Sequence, residues 1–246
     1  MDDLILKVYG DSLSLPRPKD GIGFGKEYSY LLKKRVEKEL NKEVFCWNRS
    51  MGGARVDELF NHYERDKYYI GKEGILIIQS GVVDCAPRPL PIFLREIVSL
   101  TPEFLKWRIV KFLHNNRAKI LKAGLGTKPT SPKKYRLTME KWIKSAIEIE
   151  KIIFVINIAP NTDEIEKHSP GFRKSIKLYN QILESVITEI NSQKVILIDA
   201  YSAIKEKDKE VKFLINQKDG HHITKDGHLL YSELLFDKIS TALKCD

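Results

Sequence analysis

Residues 4–12 read LILKVYGDS. The apolar run 4–9 stops at Gly10-Asp11-Ser12, the pattern of a core strand running into a turn. The same pattern recurs at 44–47, 74–79, 152–158 and 195–198. The stretch GILIIQ at 74–79 is apolar almost throughout, as in a strand covered on both faces. Helical periodicity fills the intervals. Residues 27–40 place Tyr28, Leu31, Leu32, Val36 and Leu40 on one stripe, and 171–191 place Ile176, Tyr179, Leu183, Val186 and Ile190 likewise. Further helices are predicted at 54–64, 102–123, 138–150 and 228–243. Strands alternating with helices predict a three-layer α/β/α sandwich around a five-stranded, flavodoxin-like parallel sheet. Residues 124–134, rich in Gly, Pro, Thr and Lys, read as a mobile exposed loop. No internal repeat or long linker divides the chain, so 1–246 reads as one domain, with 88–136 inserted over the site.

Composition agrees with an ordinary globular protein: 246 residues, 42% hydrophobic and 30% charged. The net charge of +9 raises the question of an anionic partner. Basic residues such as Lys33, Lys34, Arg35 and Lys38 alternate with Glu37 and Glu39, as on a solvated helix face, and no nucleic-acid motif accompanies them. Nucleic acid is therefore not an expected partner. Cys46, Cys85 and Cys245 show no CxxC spacing and are odd in number, which fits reduced thiols. Residues 1–9 lack the basic start of a signal peptide, and no apolar run nears the roughly 20 residues of a membrane span. A cytoplasmic location is the expectation; the oligomeric state is open.

Ligands of open α/β sheets bind beyond the carboxyl ends of the strands, so the residues that follow each strand matter most. They are Gly10-Asp11-Ser12; then Asn48-Arg49-Ser50-Met51-Gly52-Gly53-Ala54-Arg55; then Gly81-Val82-Val83-Asp84-Cys85-Ala86-Pro87-Arg88; and, near the end, Asp219-Gly220-His221-His222. Together they supply the parts for acyl transfer. A serine hydroxyl is a weak nucleophile that needs a base. Histidine takes its proton near neutral pH, and a carboxylate fixes the histidine tautomer. Glycine N–H groups can approach and stabilise an oxyanion.

The order of GDS, a glycine after the second strand, a glycine turn after the third and DxxH near the end resembles the SGNH (GDSL-type) hydrolase family, from Gly10 to His222. The resemblance implies Ser12 as nucleophile, His222 as base and Asp219 as its orienting acid. It implies Gly52 or Gly53 as an oxyanion donor. Gly81 and Asp84, in the third block, are placed with the substrate-binding residues, although Asp84 is expected to bond backbone or a neighbouring turn rather than the substrate. Arg88 lies at a strand end where a bound anion or sugar hydroxyl could be met. Neither a cofactor nor a metal is expected; His62, His114 and His168 show no ligand spacing with one another. His221 is the rival base, and Asp11 is read as structural. Cys85 is read as core packing, and Gly21-Ile22-Gly23-Phe24-Gly25 as a loop at the mouth of the site.

One position departs from the family. The third block usually reads GxND, and here Val83 stands where that asparagine donates to the oxyanion. Losing such a donor typically costs ~10²–10³ in rate. Asn48, Arg55, Arg88 and Asn157 are candidate replacements. The reading implied is a serine esterase acting through an acyl-enzyme on an acylated small molecule or glycan, with O-acyl sugars preferred. An acyltransferase using the same triad and a non-catalytic glycan- or partner-binding domain remain alternatives.

Overall fold

A computed structural model describes residues 4–70 and 73–244; Cys245 lies outside the described residues. Five strands form one sheet: β1 (Leu4–Gly10), β2 (Val44–Asn48), β3 (Ile75–Gln79), β4 (Ile152–Ile156) and β5 (Val195–Ile198). Their spatial order is β2-β1-β3-β4-β5, and every neighbouring pair is parallel. This is the expected doubly wound order. The register aligns Val8 with Asn48, Gly10 with Gln79 and Gln79 with Ile156. All carboxyl ends thus open on one rim, and the strand order reverses beside β1, where ligand crevices form in such sheets.

Helices cover both faces. On one, α1 (Tyr28–Leu40) packs against α10 (Lys225–Lys244), beside α9 (Ala200–Lys207). On the other, α6 (Pro132–Ile147) packs between α2 (Val56–Ile70) and α8 (Phe172–Ile190). Four short or peripheral helices complete the described set: α3 (Val82–Cys85), α4 (Ile92–Ser99), the longer α5 (Glu103–Lys122) beside α4, and α7 (Asp163–His168). The core runs through Leu6 and Val8 of β1, all of β3, and Ile153 and Phe154 of β4. Trp142 of α6 is wholly buried among the rings of Tyr9, Phe60 and Tyr63.

Lys7 is a charge in the middle of the first core strand. Its Nζ lies 2.9 Å from both carboxylate oxygens of Glu150, and both residues are buried. Tyr63 Oη and the Gly74 amide also donate to that carboxylate, so the buried pair is satisfied by hydrogen bonds on several sides.

Three element expectations need correction. The helix expected at 138–150 begins at Pro132, because Ser131 caps it through the Lys134 amide and proline suits its first position. The exposed loop at 124–134 is consequently shorter and partly anchored. Arg88 and Thr127 exchange backbone hydrogen bonds of 2.8 and 2.9 Å, and Thr130 is buried against Asp84. Helices α3, α4, α7 and α9 fall where the sequence predicts none. α4 lacks a side-chain cap at its start, and α9 is only eight residues long with Asp199 as its cap.

Candidate active site

β1 delivers Ser12 to the rim. The Asp11 amide bonds to Gln79 O at 3.1 Å, continuing the β1–β3 ladder one step past the strand. The Asp11 side chain then accepts from the Leu13 amide at 3.0 Å, starting the single 3-10 turn Ser12–Ser14. Beneath it, Ser14 Oγ bonds to Gln79 Oε1 and Tyr28 Oη, so the turn sits on a buried polar network. Asp11 is fully buried, and burial pushes its carboxyl up to about 7, against the lowering effect of the Leu13 amide.

The second half of the site comes from the turn before α10. Asp219 Oδ1 accepts from the amides of His221 and His222 at 3.2 and 3.0 Å. Gly220 has φ +75°, and a Cβ there would collide with Thr162 and Ile165; Gly220 O accepts from the Thr162 amide at 3.0 Å. Only a residue without a side chain fits this left-handed, closely packed turn. The Asn216 amide bonds to His222 O at 2.7 Å, fixing the next residue as well.

Two residues 210 positions apart thereby meet: Ser12 Oγ lies 2.7 Å from His222 Nε2. His222 Nδ1 lies 3.0 Å from Asp219 Oδ2. Burial pushes the Asp219 carboxyl up, but hydrogen bonds from the His222 ring and amide outweigh it and hold the group well below the usual carboxylate range. An ionised carboxylate can only accept, so Nδ1 carries the proton. In neutral imidazole Nε2 is then the acceptor, and Ser12 Oγ–H donates to it. The rival base lies differently. His221 Nδ1 faces Asp219 O at 2.9 Å, its ring 4.2 Å from that of His222, and burial together with His222 pushes it down to about 4.

Arg17 was not singled out in the sequence, where nothing marks it. Its Nη2 donates to Asp219 Oδ2 at 3.0 Å, the same oxygen that faces His222 Nδ1, and its Nε to Asp20 Oδ2 at 2.6 Å, so it helps hold the Asp219 carboxylate in place. His228, buried in α10, accepts from the Tyr28 amide at 3.1 Å and stacks on the Tyr28 ring. Burial pushes it down to about 4, so it is neutral and structural.

The remaining sequence-predicted residues separate into wall and cavity. Asp84 is wholly buried: its carboxylate accepts from the Val56 amide and from Thr130 Oγ1, tying the start of α2 to the segment before α6. Burial pushes it up to about 6. Gly81 has φ +120°, and a Cβ there would lie 2.7 Å from Ile158 and 2.9 Å from Tyr135 Oη, so it is required by packing. Asn48 spends its amide on Ser14 O and Ser29 Oγ and its oxygen on the Ser50 amide. Arg55 is paired with Asp57 and Glu58. Asn157 donates to Asp199 and accepts from the Tyr201 amide.

Arg88 differs from these. It lines, with Ser12, Val83, Arg117, Phe172 and His221, a cavity of about 200 Å³, and its Nε is buried without a partner among the described residues. Gly53 lines an adjoining cavity together with Val83 and Arg88. Among the described residues, no intramolecular hydrogen bond engages the amides of Ser12, Gly52 or Gly53. Cys85 is buried, where burial raises its thiol well above the usual range and favours the inert form. Asp219, His221 and His222 also present ligand atoms within 4.8 Å of one another, a set able to hold a cation; this grouping was not foreseen from the spacing of the other histidines.

No family model matches the chain, and no curated relative matches it. Solved structures similar to it include an alpha/beta hydrolase enzyme from the metagenome of Lake Arreo, at 13% identity and TM-score 0.65, covering 98% of this chain and 95% of that one. A lipase/acylhydrolase from Enterococcus faecalis matches at 16% identity and TM-score 0.64, over 96% and 95% of the two chains. An acetylxylan esterase from Geobacillus stearothermophilus matches at 15% identity and TM-score 0.65, over 96% and 94%. Solved forms of that esterase include mutants described as catalytic at a serine, an aspartate and a histidine three positions after the aspartate. At these identities the likeness is one of fold: a three-layer α/β/α hydrolase-like architecture across nearly the whole chain. Among the described residues, no helix is long and apolar enough to cross a membrane.

Proposed function

We propose that the chain is a serine ester hydrolase of the SGNH kind, acting on an O-acyl group, with O-acetylated carbohydrate as the preferred substrate class. The observation that carries this reading is the hydrogen-bonded series Ser12–His222–Asp219, with distances of 2.7 and 3.0 Å. The same residue types, with the same aspartate–histidine spacing, are the catalytic positions altered in the acetylxylan esterase of similar fold.

In this mechanism Ser12 Oγ attacks the ester carbonyl as its proton passes to His222 Nε2. Asp219 stabilises the resulting imidazolium through Nδ1–H. The carbonyl oxygen becomes an oxyanion, and the unengaged amides of Ser12 and of the Gly52–Gly53 turn are the backbone donors available to it. His222 returns the proton to the leaving alkoxide, which departs as an alcohol. Water then attacks the acyl-enzyme, giving up its proton to His222. The acid is released and Ser12 is regenerated. Val83 supplies no side-chain donor, and Asn48, Arg55 and Asn157 are engaged elsewhere. Of the candidate replacements Arg88 alone faces the Ser12 cavity.

The test is release of acid from small acetyl esters and O-acetylated sugars by wild type and Ser12→Ala. The expected loss in kcat is at least about 10³-fold. Undiminished turnover by Ser12→Ala contradicts the proposal.

A further inference from the structure

A second cavity, of about 480 Å³, adjoins the one that holds Ser12 and shares Arg88, Arg117 and His168 with it. It lies between α4, α5 and α7. Arg95, Ser99, Lys106 and His114 complete its polar lining, and among the described residues no Asp or Glu contributes to it. Lys106 is paired with Glu103 outside the lining, at 3.2 Å, whereas Arg88, Arg95 and Arg117 make no ion pair among the described residues, unlike Arg35 with Glu39 or Arg136 with Glu189 elsewhere on the surface.

The three arginines are neither neutralised nor randomly placed. Arg117 is fixed by donating its Nε to Ser169 Oγ at 2.7 Å and its Nη2 to Pro87 O at 2.6 Å. Both acceptors are neutral, so its charge remains uncompensated. Arg88 is held by the backbone bridge to Thr127, with its Nε buried and without a partner among the described residues. Arg95 is exposed and makes no ion pair among the described residues. Burial, and after it the neighbouring guanidinium groups, hold Arg88 and Arg117 below their usual range. Gathering like charges in a partly desolvated cavity is costly unless an anion joins them. Guanidinium groups are the side chains best shaped to take a carboxylate or phosphate through paired N–H donors.

We propose that this cavity is the subsite for an anionic group on the substrate, so that Ser12 acts on an acyl ester of an acidic glycan unit: one bearing a carboxylate, as in a uronic acid, or a phosphate. The shared lining of Arg88, Arg117 and His168 makes one ligand spanning both cavities the natural occupant. The inference rests on the esterase reading above, and its test separates the two.

The experiment compares O-acetylated glucose, O-acetylated glucuronic acid and O-acetylated glucose 6-phosphate as substrates. Wild type should favour one charged ester over the neutral one by about tenfold or more in kcat/KM, chiefly through KM, the scale of a charge-assisted hydrogen bond. Which charged ester leads tells carboxylate from phosphate. Arg88→Gln and Arg95→Gln should each bring the charged-to-neutral ratio toward one, and added salt should do the same in wild type. The ratio is insensitive to a general loss of folded enzyme, which lowers both rates. A wild-type ratio near one, or a preference that survives both substitutions, overturns the subsite. If none of the three esters is cleaved, the esterase reading fails by itself. Calorimetric titration of wild type with glucuronate and glucose 6-phosphate then decides the subsite: binding lost in Arg88→Gln upholds it, and binding of neither overturns it.

Discussion

The strand rim and the α4–α5 segment are built on opposite plans. At the rim, each functional side chain stands on a buried, hydrogen-bonded support: Ser12 on the Asp11 cap and the Ser14–Gln79–Tyr28 network, His222 on the Asp219–Gly220 turn. α5 buries none of its side chains, although it is 20 residues long, and Phe104, Trp107 and Phe112 are exposed on it. Its contribution to the molecule is its cavity-facing cations, Lys106 and Arg117, and its contact with α4 and α7. The difference teaches where precision is required. Proton transfer needs atoms fixed within a few tenths of an ångström, whereas attraction of an anion tolerates looser placement. Ser12, His222 and Asp219 accordingly stand in turns anchored on the buried sheet, while most of the cationic lining of the second cavity comes from the peripheral α4 and α5.

Two tryptophans sharpen this contrast most strongly. Trp142→Ala, in the aromatic cluster under the sheet, should lower unfolding free energy by about 3–5 kcal/mol in chemical denaturation. Trp107, 62% exposed on α5, should change it by no more than about 0.5 kcal/mol when replaced by Ala. Equal losses would break the contrast.

A smaller, pH-dependent effect belongs to Asp11. In the folded chain its carboxyl keeps its proton up to about pH 7, against 3.8 ordinarily. The folded state therefore binds the proton more tightly than the unfolded one. The resulting stability is fully present below about pH 4 and is lost as pH rises to about 7. Asp84, raised to about 6, adds in the same direction. Asp11→Asn retains an acceptor for the Leu13 amide and removes the titration. Its stability should fall less than that of wild type between pH 4 and pH 8, by on the order of 2 kcal/mol. An unchanged slope would show that Asp11 ionises freely in the fold.

Much of the rim was legible in the sequence because its residues follow strands, and strands as apolar as 74–79 leave little ambiguity. GDS and DxxH are local signals, and parallel order at the sheet brings their ends together. Arg17 could not be found this way, since its role depends on the 202 positions between it and Asp219 closing in space. The buried Lys7–Glu150 pair was hidden for the same reason: a lysine inside an apolar strand reads as an exposed position until its partner is known. Gly81 and Asp84 stand in the wall of the site: Gly81 is spent on close packing with Ile158, and Asp84 accepts from the Val56 amide at the start of α2, the backbone bonding expected of it. The missed α4 and the late start assigned to α6 reflect weak boundaries: α4 has no side-chain cap, and the Ser131-Pro132 start was absorbed into a stretch that looked like loop.

The most direct test of the central claim is to trap the acyl-enzyme. Wild type mixed with an acetyl ester, quenched in acid within the first turnovers and digested for peptide mass spectrometry should carry one acetyl group on Ser12, and His222→Ala should carry none. Turnover of the ester with the acetyl group on another residue, or with none trapped on Ser12 under any quench time, would contradict it.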